Sequence, residues 1–372
     1  MHLFIATGIF IPEIGGPATY AAKLAKEMLK FNHQVTVLTY SATATDDFDK
    51  DLPYEVVRVK RTNKIKNYFN YYKKFKQLMR QHNYDVVYCF DHFSAGLPVS
   101  WANRKFNKKL LIRVGGDFIW ERYIERTGDL VILRQFYERN LHTRQEKLRF
   151  RLIKWVFKQA HKIIFTTEFQ RDIFISAYDF NLNKTAIIHN PVDQVTRSNN
   201  IHQENKEILF AGRFIPIKNL VRLINVFKKI KTDKKLVLIG AGPQKNELIK
   251  LSQNDPRIKI ENNMSQKKLW YRLSQAYLFI LPSLTDLNPN VVLEALALHK
   301  PIILTQENGL STALQNNFKL INPLVDSELQ TAVEYFLDNN NYQQWIDNLN
   351  VDFINYTWQK NIQQHLEIFS KL

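Results

Sequence analysis

Two basic residues five positions apart, Arg213 and Lys218, follow Gly212 at the end of the apolar run Glu207–Ala211. A guanidinium offers a planar fork of donors and a lysine a compact ammonium, so the pair suits a diphosphate and the charge that builds on it as it departs. Further along, Asp286 and Glu294 stand eight positions apart around a turn from the strand-like Tyr277–Pro282 into the helical pattern Val291–Leu298. A carboxylate inside such a helix can accept two hydroxyls of a ribose, and one in the loop can face a sugar. Between them, Leu287-Asn288-Pro289-Asn290 can turn backbone N–H groups toward the same ligand at a helix start.

Several other chemistries are excluded. The ten histidines are scattered, the nearest pair being His82 and His92, so no H-E-x-x-H spacing exists and a protein-held metal is not expected. The single cysteine, Cys89, rules out an intrachain disulfide and a Cys-based zinc or iron–sulfur centre. Neither G-x-x-x-x-G-K-S/T nor G-x-S-x-G occurs.

These residues need strands and helices to hold them. Glycine is scarce, 11 in 372 residues, and seven of the eleven stand as Gly15-Gly16, Gly115-Gly116, Gly212, and Gly240 with Gly242, most of them soon after an apolar, β-prone run. Leu3–Thr7, Gln34–Thr39, Tyr84–Phe90, Lys109–Val114 and Lys162–Thr166 read as strands, and Ala18–Phe31 as a helix entered through Pro12 and Gly15-Gly16. After the polar stretch Thr196–Lys206, expected as a linker, the pattern restarts. Strands are expected at Glu207–Ala211, Lys235–Ile239, Tyr277–Pro282 and Pro301–Thr305, and helices at Asn219–Ile230, Gln266–Gln275 and Val291–Leu298. Nearly continuous apolar strands separated by helices imply parallel sheets covered on both faces. The reading is therefore α/β, two Rossmann-like doubly wound domains whose strand C-terminal ends face a shared cleft, over residues 1–195 and 206–350, with a closing helix in 351–372.

Around these motifs the chain resembles glycosyltransferase family 4, retaining enzymes of the GT-B fold that use nucleotide-activated sugars. The motifs are Gly212-Arg213-x-x-x-x-Lys218 and Asp286-x7-Glu294, the latter opening a Glu-Ala helix with Asp in place of the family's first Glu. The resemblance implies that Arg213 and Lys218 clamp the diphosphate, Glu294 grips ribose and Asp286 the donor sugar. Gly15, Gly16, Gly212 and the loop Leu287, Asn288, Pro289 and Asn290 complete donor binding, and Asn263 and Met264 stand where the family reads the base through its backbone. Gly240-x-Gly242-Pro243 resembles the family's G-x-G-P turn and reads as mainly structural.

One departure falls in Arg113-Val-Gly115-Gly116-Asp117, where many members carry His-Gly and that His faces the reacting sugar. Gly115 takes the His position here. Asp117, two residues on, is the nearest polar substitute and is expected to orient or deprotonate the acceptor hydroxyl, with helix capping as the alternative. Trp120, Glu121 and Arg122 are candidates for acceptor contacts. By the same resemblance the N-terminal domain binds acceptor and the C-terminal domain the nucleotide sugar.

Charge is unevenly spread. The chain carries 52 Lys+Arg against 35 Asp+Glu, net +17, and residues 1–193 hold 31 of the bases and 19 of the acids. From Val56 to Tyr84 there is no acid, while nine Lys or Arg interleave with Tyr68, Phe69, Tyr71, Tyr72 and Phe75. A basic, aromatic-rich helix of this kind can lie on anionic headgroups, each cation contributing about 1 kcal/mol; a solvated face is the alternative, and nucleic acid is not the expected partner. No stretch approaches the roughly 18 apolar residues of a spanning helix, and the start lacks a basic region before its short apolar run. The expectation is a cytoplasmic enzyme, peripheral on the cytoplasmic face of the membrane. It needs no cofactor beyond its nucleotide-sugar substrate, and transfers a hexose or related sugar to a glycan or lipid-linked glycan in cell-surface polysaccharide or glycolipid synthesis. A nucleotide-sugar epimerase of the same fold and a non-catalytic sugar-nucleotide-binding protein are the competing readings.

Overall fold

The computed structural model describes residues 1–13, 15–191, 206–349 and 356–372. The expected linker, apart from Lys206, and the boundaries at 195, 350 and 351 lie outside the described residues. The chain divides into two compact units. The first holds Met1–Ile119, His142–His189 and Trp358–Leu372, and the second holds Trp120–Leu141 and Asn190–Thr357.

In the first unit seven strands form one parallel sheet: β1 (His2–Thr7), β2 (Gln34–Ser41), β3 (Glu55–Lys60), β4 (Val86–Cys89), β5 (Lys109–Val114), β6 (Lys162–Phe165) and β7 (Thr185–Ile187). Their order is β3-β2-β1-β4-β5-β6-β7. The chain winds one way from β1 through β3 and the other way from β4 onward, so β1 and β4 flank the point where ligands bind in doubly wound sheets. Helix α1 (Gly16–Lys30) starts behind Gly15 with a proline in its first turn. Helix α2 (Lys64–Gln81) is capped by the Asn63 side chain, which accepts from the Lys66 N–H at 2.9 Å. Helix α3 is Gly96–Asn103, and two helices that follow it, α4 (Phe118–Thr127) and α5 (Leu133–Glu138), lie almost wholly in the second unit. Helix α6 (Arg144–Gln159) opens on a Thr143/Glu146 capping box and α7 (Glu168–Tyr178) on Thr167. The core joins Leu3, Ile5 and Tyr88 of the strands to Leu24 and Met28 of α1 and to Ile362 near the chain's end.

The second unit repeats the plan with six strands, β8 (Glu207–Arg213), β9 (Lys235–Ala241), β10 (Ile258–Glu261), β11 (Leu278–Leu281), β12 (Ile302–Thr305) and β13 (Lys319–Ile321), ordered β10-β9-β8-β11-β12-β13. The winding reverses between β8 and β11. Helices α8 (Leu220–Lys229), α9 (Lys245–Ser252), α10 (Gln266–Gln275), α11 (Asn290–Ala297), α12 (Thr312–Gln315), α13 (Asp326–Leu337) and α14 (Asn339–Asp347) cover the sheet. Helix α15 (Trp358–Ser370) is the expected terminal helix, and it packs in the first unit: Asn361 bonds the Tyr20 hydroxyl and donates to the His189 carbonyl at 2.9 Å.

Candidate functional site

The second unit's reversal point carries the expected charged residues. Strand β8 ends in Gly212 and Arg213, paired with Gly240 and Ala241 of β9. A side chain on Gly240 would overlap the Gly212 carbonyl oxygen, and Gly242, at φ 155°, sits against the Phe214 backbone. These two glycines therefore let the β8 and β9 exits cross closely. The chain then turns through Pro216–Lys218 to Asn219, whose left-handed backbone (φ 59°) is held by its buried amide donating to the Pro323 carbonyl at 2.8 Å.

That turn delivers Lys218 to Asp286, with Nζ 2.5 Å from Oδ2. Asp286 lies in the loop after β11, fixed by its N–H donating to the Glu307 carbonyl and its carbonyl accepting from Gly309. Ser283 Oγ also donates to Oδ2, at 3.1 Å. Both side-chain bonds fall on one oxygen, which leaves Oδ1 for a hydroxyl and leaves Lys218 with two further N–H donors for phosphate oxygens. Glu294, on α11, is oriented from α10: Gln266 Nε2 donates to Oε1 at 3.1 Å and the Trp270 indole to Oε2 at 2.9 Å. The loop that leads from β10 into α10 contains Asn263, exposed, and Met264, packed on the edge of the core. Leu287 and Pro289 are buried, Asn288 is partly so, and Asn290 is exposed, its Oδ1 accepting from Asn190.

Arg213 is 65% exposed, with its guanidinium 3.8 Å from Glu121 Oε2. Glu121 reaches it because α4 and α5 pack in the second unit. The same segment donates from the Leu133 N–H to Thr285 Oγ1 at 3.0 Å, beside Asp286. Burial pushes the Glu307 carboxyl up, and the nearby Arg134 guanidinium pulls it partly back. Thus a stretch expected to serve the acceptor domain buttresses the Asp286 loop. Trp120 is corrected outright: it is 2% exposed and its indole donates to the Val131 carbonyl at 2.8 Å, so it packs and leaves no face for an acceptor. Arg122 pairs with Glu125 at 3.2 Å on the surface.

In the first unit Gly15 precedes α1, where a side chain would strike Ile9, while Gly16 and Gly115 have open space around them. Asp117 is buried immediately before α4. Sequence reasoning missed Gln266, Trp270, Ser283, Thr285 and Glu307, and also Asp91 at the end of β4, whose Oδ1 accepts from the Phe93 and Ala95 N–H groups. None of these carries a motif of its own; only position after a strand or on the facing helix marks them. Among the described residues no group of three His, Cys, Asp or Glu is placed to hold a metal.

Comparison with known proteins bears on the family and the fold. Residues 14–195 match Glycosyltransferase Family 4 and residues 192–360 match Glycosyl transferases group 1. An uncharacterised glycosyltransferase of Methanocaldococcus jannaschii is 21% identical over 98% of this chain and 97% of its own. The alpha-monoglucosyldiacylglycerol synthase of Streptococcus pneumoniae is 22% identical over 82% of this chain and 70% of its own. Among solved structures, Anabaena HepE in complex with UDP-glucose superposes with a TM-score of 0.77 at 16% identity, covering 99% of this chain and all of that one. Sucrose-phosphate synthase of Thermosynechococcus elongatus gives 0.77 at 16% identity, covering 99% and 98%. These two likenesses establish the two-domain α/β fold.

Proposed function

Since the chain belongs to glycosyltransferase family 4, we propose that it is a retaining, metal-independent hexosyltransferase. It takes a sugar from a nucleoside diphosphate and delivers it to a glycan or lipid-linked glycan, peripherally at the cytoplasmic face of an anionic membrane, in cell-surface polysaccharide or glycolipid synthesis. The observation that carries the reading is the Lys218–Asp286 pair at the second unit's reversal point, with Glu294 held in register by α10. The alpha-monoglucosyldiacylglycerol synthase and HepE relatives support a lipid-borne acceptor and a nucleotide-sugar donor respectively.

In this scheme Glu294 accepts the ribose hydroxyls and Asp286 Oδ1 a hydroxyl of the donor sugar. The N–H groups before α11, at Leu287 to Asn290, meet the sugar or diphosphate, and the backbone of Asn263 and Met264 meets the base. Gly212 keeps the approach to Arg213 clear, and Gly15 and Gly16 let backbone come close to a ligand. As the bond from the anomeric carbon to the phosphate oxygen breaks, Arg213 and Lys218 neutralise the charge appearing on the diphosphate. The departing phosphate oxygen takes the acceptor's proton while the acceptor oxygen bonds the anomeric carbon on the same side, so configuration is kept without a side-chain nucleophile. Asp117 orients the acceptor hydroxyl, Arg122 contacts the acceptor, and Glu121 acts on the donor side through Arg213.

The test is turnover, read by mass spectrometry, with UDP-, GDP- and dTDP-sugars, each with and without a lipid-linked acceptor extract. Transfer that requires acceptor and releases one nucleotide is expected. Interconversion of the free nucleotide sugar would instead assign an epimerase, and donor binding without turnover a non-catalytic binder.

A further inference from the structure

Helices α2, α3 and α6 lie side by side on one face of the first unit's sheet, α3 between the other two. Their sequences contain twelve Lys or Arg and a single acid. That acid, Glu146, is fully buried and bonded within its own capping box, so it presents no negative charge outward. On the opposite face, α1 and α15 carry four cations and two acids, with Lys30 bridged to Glu27. The cationic excess seen in the sequence is thus concentrated in the layer of these three helices, while α7, packed on α6 beyond them, carries Glu168, Arg171 and Asp172.

The same layer exposes large apolar side chains. Ile65 is 82% exposed and Phe69 48% on α2, Trp101 53% on α3, and Leu148 61% on α6. Phe69 stacks on Tyr72, and Tyr72 lies 4.8 Å from the Trp101 ring, making one aromatic ridge. Lys73 and Lys76 sit 4.8 Å and 5.1 Å over the Phe69 and Tyr72 rings, so apolar and cationic groups alternate. Beside the ridge, α2 and the edge strand β3 enclose a groove of about 550 Å³ whose walls include Lys60, Lys73 and Lys74. No helix among the described residues is long and apolar enough to cross a membrane.

We propose that this three-helix layer is a membrane-docking face for an anionic bilayer. Ile65, Phe69, Trp101 and Leu148 enter the interface, the lysines meet lipid phosphates, and the β3–α2 groove seats a headgroup. Charge complementarity selects the occupant, because three helices with twelve Lys or Arg and no outward acid of their own oppose a second copy of themselves, even with Lys154 3.8 Å from the exposed Asp179 at their α7 side, and four apolar anchors in that field match a surface that is anionic outside and apolar beneath. Position adds a consequence. Ile65 and Phe69 fall in the first two turns of α2 and Leu148 in the second turn of α6, so they lie toward the helix starts, where the strands of a parallel sheet end. The ring contacts run the same way, from Tyr68 on α2 to Phe93 after β4 and on to Phe118 after β5. Docking therefore brings the loops after β4 and β5, including Gly115 to Asp117, to the lipid surface. This deepens the reading of a membrane-borne acceptor and rests on it.

The experiment uses the full chain with phosphatidylcholine vesicles, with and without phosphatidylglycerol, read by co-sedimentation and by the fluorescence of Trp101 against a Trp101→Phe control. Wild type is expected to bind the anionic vesicles only, with a blue shift that the control lacks. Phe69→Ser with Trp101→Ser and Leu148→Ser should cut partitioning by about tenfold or more, and Lys66→Gln with Lys73→Gln and Lys76→Gln likewise. Sugar-nucleotide hydrolysis in solution should stay at the wild-type rate in both sets, which also shows that they fold. Wild-type vesicle binding by both sets, or binding to RNA oligonucleotides in preference to anionic vesicles, would overturn the proposal. Vesicle binding without any donor turnover would leave the docking face standing and remove the transferase reading instead.

Discussion

The two units share a doubly wound topology and use its reversal point differently. In the second, charged groups at the strand exits are paired and tethered: Lys218 to Asp286, Asp286 to Ser283, Glu294 to Gln266 and Trp270. In the first, the exits after β1 and β5 hold glycines, two of them with open space around the Cα; one charge pair, Arg61 with Glu13 at 2.9 Å, braces the β3 and β1 exits, and the main cationic clusters lie on the helices. A site that must stabilise a fixed diphosphate gains from prepositioned charge, because no reorganisation is then needed when charge develops. On the proposed function, the first unit receives a bulky acceptor and would gain from vacancy and from a surface that holds the acceptor's carrier. The same contrast appears in the histidines: among the described residues His299 is in the second unit and the other eight are in the first.

The largest effect should come from cutting the second unit's tether. Lys218→Ala removes one of the two cations proposed to face the diphosphate and leaves Asp286 bonded to Ser283 but without a cation. Transfer should fall by about 10²- to 10³-fold, judged by the loss typical of one transition-state donor, with the circular dichroism spectrum and vesicle binding unchanged. A Lys218→Ala enzyme that turns over at the wild-type rate would put the chemistry elsewhere and dissolve the contrast between the units.

A second effect tests the histidine asymmetry through pH. Burial lowers the His92 pKa to about 4, and burial with the neighbouring Arg113 lowers His365 to about 3. Burial likewise lowers His2, His33, His142 and His161. A folded pKa below the unfolded value of about 6.5 means that the unfolded chain binds the proton first. The stabilisation is therefore complete above pH 6.5 and is lost as pH falls from there toward 4. At about 1.4 kcal/mol for each unit of difference, His92 alone accounts for roughly 3 kcal/mol. In the second unit Asp255, whose pKa is lowered by its bond to Arg257, loses its contribution only below the unfolded value of about 3.9. Hydrogen exchange between pH 6.5 and 4 should thus show protection falling in β1, β4 and α15 while β8 to β12 hold theirs. Equal loss in both sheets would mean that the buried histidines do not set acid stability.

The contrast also marks what the sequence made legible. The central strands were readable because they are buried on both faces and appear as unbroken apolar runs, such as Leu3 to Ala6 and Leu236 to Ile239. The four strands not anticipated, β3, β7, β10 and β13, are the four sheet edges. Each is partly exposed, as in Lys-Leu-Ile and Ile-Lys-Ile-Glu, and without a continuous apolar run the pattern is lost among loops. At the candidate site, spacing singled out Arg213 with Lys218 and Asp286 with Glu294, each pair separated by a short turn, but not the Lys218–Asp286 bond, whose partners are 68 positions apart. The tethers were hidden because Trp270 lies 24 positions from Glu294 and Leu133 152 from Thr285, and only the folded chain joins them. Trp120 misled for the converse reason: an aromatic beside charged neighbours in a loop-like stretch reads as exposed until the helix it belongs to is packed.

The smallest effect decides where residues 120–141 work. Glu121 is 3.8 Å from an exposed Arg213, and such pairs are worth about 0.2–1 kcal/mol. Glu121→Gln removes a negative charge beside a guanidinium that must meet an anionic diphosphate, so donor affinity should rise, by about 1.4- to 5-fold for that energy range. Added salt should shrink the difference, because the charges are open to solvent. Calorimetric titration with the active nucleotide sugar reads the donor term, and steady-state kinetics with varied acceptor reads the other. If the acceptor KM rises while donor affinity stays fixed, Glu121 touches the acceptor, and the segment serves the other substrate despite packing in the second unit. If donor affinity alone moves, residues 120–141 belong to the donor site by function as they do by packing, and the division of labour between the units does not follow the order of the chain.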